Sequence, residues 1–124
     1  MKLSLQIVAC LLLGACGFDD WRELGDGYVY AETDAYNAWI VLDHRTVVDS
    51  NVANAIAIDE FIVGLREKPE RFVGHDENEI SSDYGYFVLD KSTGVLLQGL
   101  SETEMRQVFE ENGWNFRELR DATL

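Results

Sequence analysis

The chain has 124 residues, 47% hydrophobic and 11% aromatic, which is enough for one buried core and too short for two ordinary domains. Acids outnumber bases by 23 to 10, a formal charge of −13. A field of that sign disfavours nucleic acid and anionic lipid as partners, and steers cations and basic proteins toward the surface.

The first residues read as an address rather than as fold. Met1-Lys2 is a minimal positive start, and Leu3 to Leu13 is apolar apart from Ser4 and Gln6. Such a run has the length of a secretory h-region, about 7–15 residues, and falls short of the ~20 needed to span a bilayer. It ends on Leu13-Gly14-Ala15-Cys16, which resembles the lipobox of bacterial lipoproteins: a branched apolar residue, two small ones, then cysteine. The resemblance implies that residues 1–15 are a cleaved signal peptide. It also implies lipid attachment at Cys16, with a diacylglycerol on the sulfur and an acyl chain on the new amino group, and no other cofactor is expected. Residue 17 is Gly rather than Asp, which in lipoproteins of two-membrane hosts favours the outer membrane, on its periplasmic face.

Loss of the leader removes Lys2 and leaves 9 bases against 23 acids, 9 − 23 = −14. Cys10 departs as well, so the mature chain keeps only its lipidated cysteine. A disulfide framework, a thiolate metal site and a cysteine nucleophile are thereby excluded from the domain.

Residues 16–26 are expected to be a lipidated N-terminus and short tether, with Gly25-Asp26-Gly27 as a turn signal, and residues 27–124 a single small domain. Gly27 to Thr33 alternates as a strand, with Tyr28 and Tyr30 on one face and Val29 on the other. Asn37 to His44 is a continuous apolar run bounded by polar residues, as in a strand covered on both faces. Ala55 to Asp59 alternates Ile56 and Ile58 with Ala57, and Glu60 to Arg66 places Phe61, Val63 and Leu65 on one face. Pro69, the only proline, ends that run. Tyr84–Asp90 and Val95–Gln98, joined by Lys91-Ser92-Thr93-Gly94, form a hairpin signature.

Ser101-Glu102-Thr103-Glu104 is a capping box, followed by a stripe of Met105, Val108 and Phe109 and by Gly113 as a stop. A helix over about 102–112 follows, its stripe packed on the sheet, and the tail carries a short helical turn with Phe116 and Leu119. Strands first and a helix last predict an α+β domain, an antiparallel β-meander of about five short strands with one C-terminal helix packed on the sheet.

GDGYVY, EFIVGLR and YFVLDKSTGVLLQGLSETEMRQVFEENG together are similar to a group of small bacterial lipoproteins of unassigned function. There, a tyrosine-rich first strand and a hairpin precede a final helix ending at glycine. Gly99-Leu100-Ser101 lacks the proline of that pattern, and the resemblance carries no catalytic residues.

No residue set spells out a reaction. His44 stands beside Asp43 with Ser50 six residues on, but without a Gly-x-Ser-x-Gly elbow these read as strand-end polar residues in a turn. His75 heads HDENEISSD, whose Asp76, Glu77, Glu79 and Asp83 offer hard-cation oxygens without EF-hand spacing, so a solvated loop is the simpler reading. No catalytic or metal residues are assigned. The expectation is a non-enzymatic, lipid-anchored binding or structural module of the cell envelope. The alternative is an immunity or inhibitor lipoprotein that neutralises a basic envelope-acting enzyme or toxin, its charge raising the on-rate.

Overall fold

The computed structural model describes residues 20–34, 37–68 and 83–122. They form eight strands and two helices: β1 (Asp20–Gly25), β2 (Tyr28–Asp34), β3 (Asn37–Leu42), β4 (Arg45–Val48), β5 (Val52–Ile58), β6 (Phe61–Arg66), β7 (Gly85–Asp90), β8 (Leu96–Leu100), α1 (Glu102–Asn112) and α2 (Phe116–Arg120). The strands divide into two four-stranded antiparallel sheets, β1-β2-β3-β4 and β5-β6-β7-β8. The expected single meander of about five strands with one helix is therefore corrected to two stacked meanders with two helices on one of them. Each sheet is sequential, so neither requires a crossover.

Two strands escaped the sequence pattern for physical reasons. In β1, DWRELG, only Leu24 is buried, while Arg22 and Glu23 are exposed; it is a charged edge strand, as unpaired edges usually are. β4 has four residues, with burial confined to Val47 and Val48. It follows a two-residue turn at Asp43-His44, where both residues adopt left-handed φ of 50° and 64°. Such a turn twists with the strands it joins and favours Asn-Gly or Asp-Gly, so Asp-His gives a weak signal. The matching turn at Asp26-Gly27, with φ of 55° and 87°, carries the expected sequence.

The second sheet is the middle layer. On one face Val52, Ala55, Ile62, Phe87 and Leu89 meet Leu24, Tyr28, Tyr30, Ala38, Ile40 and Val48 of the first sheet. On the other, Val63 packs with Met105, Phe109 and Leu119 of the helices, flanked by Ile56, Phe61, Tyr86 and Val88. The period of two along a strand generates both contacts: Ile62 and Val63 are each fully buried, and they belong to opposite cores. Gly64 lies between them and the strand end because a Cβ there would collide with the Asn54 carbonyl and the Phe87 ring.

α1 starts on the capping box: Ser101 Oγ accepts from the Glu104 N–H at 3.1 Å, and Glu104 Oε1 accepts from the Ser101 N–H at 3.0 Å. It stops at Gly113 in the left-handed conformation, φ 71°. The chain then returns through Trp114, whose ring meets Phe109 and Phe61 edge-on at 5.5 Å, and whose indole N–H donates to Asp59 at 2.9 Å. Phe116 packs on Phe109 and Tyr86 at 5.3 and 5.7 Å, so α2 closes the helical layer through aromatic contacts.

Candidate functional site

Among the described residues, one charged residue is buried as a whole. Arg66, at the end of β6, is 2% exposed. Along β6, Ile62, Gly64 and Arg66 share the face that looks toward the first sheet, so the alternation that builds the core also turns a guanidinium inward. It meets residues 49–51, where the chain passes from one sheet to the other. Nε donates to the Asp49 carbonyl at 2.9 Å and Nη2 to the Ser50 carbonyl at 2.6 Å. Nη1 donates to the Asp83 carbonyl at 3.2 Å and to Gln98 Oε1 at 3.3 Å, and the guanidinium lies 4.9 Å from the Tyr84 ring centre.

Four of the five guanidinium N–H groups are thus engaged, all with neutral acceptors. No carboxylate oxygen of a described residue lies within salt-bridge distance of Arg66. Among the described residues, the cation is held by dipoles rather than by an opposite charge.

Beside the guanidinium opens a groove of about 330 Å³, lined by Thr46, Val47, Asp49, Arg66, Leu96 and Gln98. Four of its lining residues come from β4 and β8, an edge strand of each sheet. Val47 and Leu96 are partly buried against the inter-sheet core, which gives the groove two aliphatic walls. Gln98 is held in one orientation, accepting from Arg66 through Oε1 and donating to Asp83 Oδ2 at 3.4 Å through Nε2. The exposed Asp49 accepts from the Ser50 N–H at 2.8 Å through Oδ1. A guanidinium, a primary amide, a hydroxyl and a carboxylate over aliphatic walls form a set that orients a ligand.

The residues singled out from sequence do not gather here. Cys16, His75, Asp76, Glu77 and Glu79 lie outside the described residues. His44 and Asp43 form the exposed β3–β4 turn just past the end of β3, as expected of strand-end polar residues in a turn. Ser50 meets the site only through its backbone, as an acceptor for Arg66. Asp83 is the one member of the acidic segment that touches the groove network, by its carbonyl and its carboxylate. No three potential metal ligands converge among the described residues.

Arg66, Gln98 and Asp49 went unnoticed in the sequence. The inward parity of Arg66 was legible in EFIVGLR, where it falls in step with Ile62 and opposite Phe61, Val63 and Leu65. No family model, characterised protein or solved structure matches the chain.

Proposed function

We propose that the chain is a lipid-anchored, extracytoplasmic binding module, attached through Cys16 and recognising its ligand on the domain that follows. The leading support is the run Leu13-Gly14-Ala15-Cys16 after an apolar stretch of h-region length. β1 begins at Asp20, so Gly17, Phe18 and Asp19 alone separate the anchor residue from the first sheet. Four Cα–Cα steps reach at most ~15 Å. A lipidated Cys16 would hold the first sheet against the membrane surface, with multiple acyl chains contributing roughly 0.8 kcal/mol per buried methylene. Outer-membrane placement follows from Gly17 where the host has two membranes. A binding role is supported by the Arg66 groove, whose polar groups are pre-oriented by their own hydrogen bonds.

Fractionation with a Cys16→Ser variant tests the anchor. The parent chain is expected in the membrane fraction and released only by detergent, and the variant in the soluble or unprocessed fraction. A variant that remains membrane-bound and normally processed would overturn the reading.

A second reading draws on the charge of −14, which suits an inhibitor of a basic envelope enzyme or toxin. Such a complex forms rapidly at low ionic strength and loses its on-rate as salt shortens the Debye length to ~8 Å and below. Salt-independent association would count against it.

A further inference from the structure

We propose that the groove between β4 and β8 binds an amino-acid-sized zwitterion with an aliphatic side chain. Arg66 and Gln98 hold its carboxylate, Asp49 holds its ammonium group, and Val47 and Leu96 receive the side chain. This names the ligand class for the binding module above and rests on that reading only for the role, since membrane attachment is measured separately.

Among the described residues, Arg66 has no carboxylate partner. Arg66 is 2% exposed and bonded to three carbonyls and one amide oxygen. A cation removed from water without a counter-ion is costly, and carbonyl dipoles offset that cost without cancelling the charge. Among the described residues, no acceptor takes the second N–H of Nη2. A carboxylate arriving at the groove would meet a guanidinium already fixed by its own hydrogen bonds, so little further ordering of Arg66 is required.

A residue of opposite charge lines the same groove. Asp49, an acid, lines the groove; its Oδ1 accepts from the Ser50 N–H, and no described residue takes up Oδ2. A ligand that is only anionic is repelled by Asp49 and by a chain carrying 23 acids against 10 bases. A ligand that is only cationic meets Arg66. A molecule with both charges satisfies both walls.

Size and polarity complete the fit. About 330 Å³ stands at the low end of the roughly 300–1,000 Å³ typical of small-molecule sites. Val47 and Leu96 supply the apolar contact, and Gln98 keeps a second Nε2 hydrogen for the carboxylate. Pinning the corner between the sheets explains the four bonds of Arg66. It does not explain an open groove with two charges and aliphatic walls at the same place.

The test is calorimetric titration of the full chain, purified in detergent, with three probes: L-leucine, N-acetyl-L-leucine and L-leucinamide. Leucine is expected to bind, and each capped probe, lacking one charge, to bind about tenfold more weakly or worse. Asp49→Asn should bring leucine down to the level of N-acetyl-leucine. Gln98→Ala should weaken leucine and N-acetyl-leucine together. Both substitutions leave the Arg66 carbonyl bonds in place, and a thermal melt on each confirms that it is folded.

The proposal is overturned if leucine gives neither heat nor amide shift changes up to roughly 10 mM. Leucinamide binding as well as leucine, or Asp49→Asn leaving the preference intact, overturns it equally. The anchor reading is unaffected by any of these results.

Discussion

Lys91, on the β7–β8 turn, lies 3.2 Å from Asp26, on the β1–β2 turn, and joins the two sheets across that contact. Its side chain is 8% exposed while that of Asp26 is 65% exposed, and its Nζ also approaches the Leu24 carbonyl at 3.5 Å. The Lys91 N–H donates to Glu60 at 2.9 Å, which brings the β5–β6 turn to the same corner. Arg66 ties down the link between the sheets at Asp49 and Ser50, so two cations of the second sheet hold the layers together at separate places.

The two partners of the Lys91 clamp should respond unequally to substitution. Asp26→Asn removes an exposed partner and is expected to cost ~0.5 kcal/mol or less, since solvent and salt screen such pairs. Lys91→Ala also removes a packed stem and the approach to Leu24, and is expected to cost about 1–2 kcal/mol. Urea midpoints at low and high salt measure both, and equal losses would contradict the geometry.

Arg66 should tolerate no replacement. Arg66→Met takes the guanidinium from the Asp49 and Ser50 carbonyls, and a carbonyl left unsatisfied costs ~1–3 kcal/mol when buried. A total loss of about 3–5 kcal/mol is expected by chemical denaturation. Arg66→Lys keeps the charge but has one nitrogen for groups reached by three, and should recover less than half of the loss.

Gly64→Ala tests the closeness of β5, β6 and β7. The added methyl meets the Asn54 carbonyl and the Phe87 ring, so strand or ring must shift. Overpacking of this kind costs roughly 1–3 kcal/mol. The melting temperature should fall, although alanine would stabilise an ordinary strand relative to glycine.

The α1 cap gives the chain a pH dependence of known sign. The Ser101 N–H and then its hydroxyl hold the Glu104 carboxyl below the ordinary glutamate range. Asp90 is lowered likewise, first by the Ser92 hydroxyl and then by the N–H groups of Ser92 and Thr93. A carboxyl whose folded pKa is depressed stabilises above its unfolded pKa, near 4, and that contribution is lost as pH falls through the folded value. Unfolding midpoints followed from roughly pH 5 to pH 2 should decline, and Glu104→Gln should flatten part of the slope. Ser101→Ala should cost about 1 kcal/mol at neutral pH.

Much of the second sheet and of α1 was legible because its signals are local. LDKSTGVLL marks a hairpin, SETE caps a helix, and Met105, Val108 and Phe109 set its buried face. β1 and β4 were not legible, since a charged edge strand and a four-residue strand bury too few side chains to show a period. Division into two sheets was also hidden. Antiparallel hairpins read alike within one sheet or two, and the change occurs at residues 49–51, a polar link with no distinctive composition. The groove draws Asp49, Arg66 and Gln98 from three segments far apart in sequence, and a charged strand-end residue is normally solvated. Only tertiary packing reveals that Arg66 is not.

Because the second sheet is the common wall of both cores, the layers need not come apart together. The helices can detach while the inter-sheet core survives, and the first sheet can loosen while α1 and α2 stay seated on Val63. Neither event is possible once β6 and β7 open. Those two central strands should therefore hold the slowest-exchanging amides in deuterium, with β1, β4 and α2 exchanging through cheaper local openings.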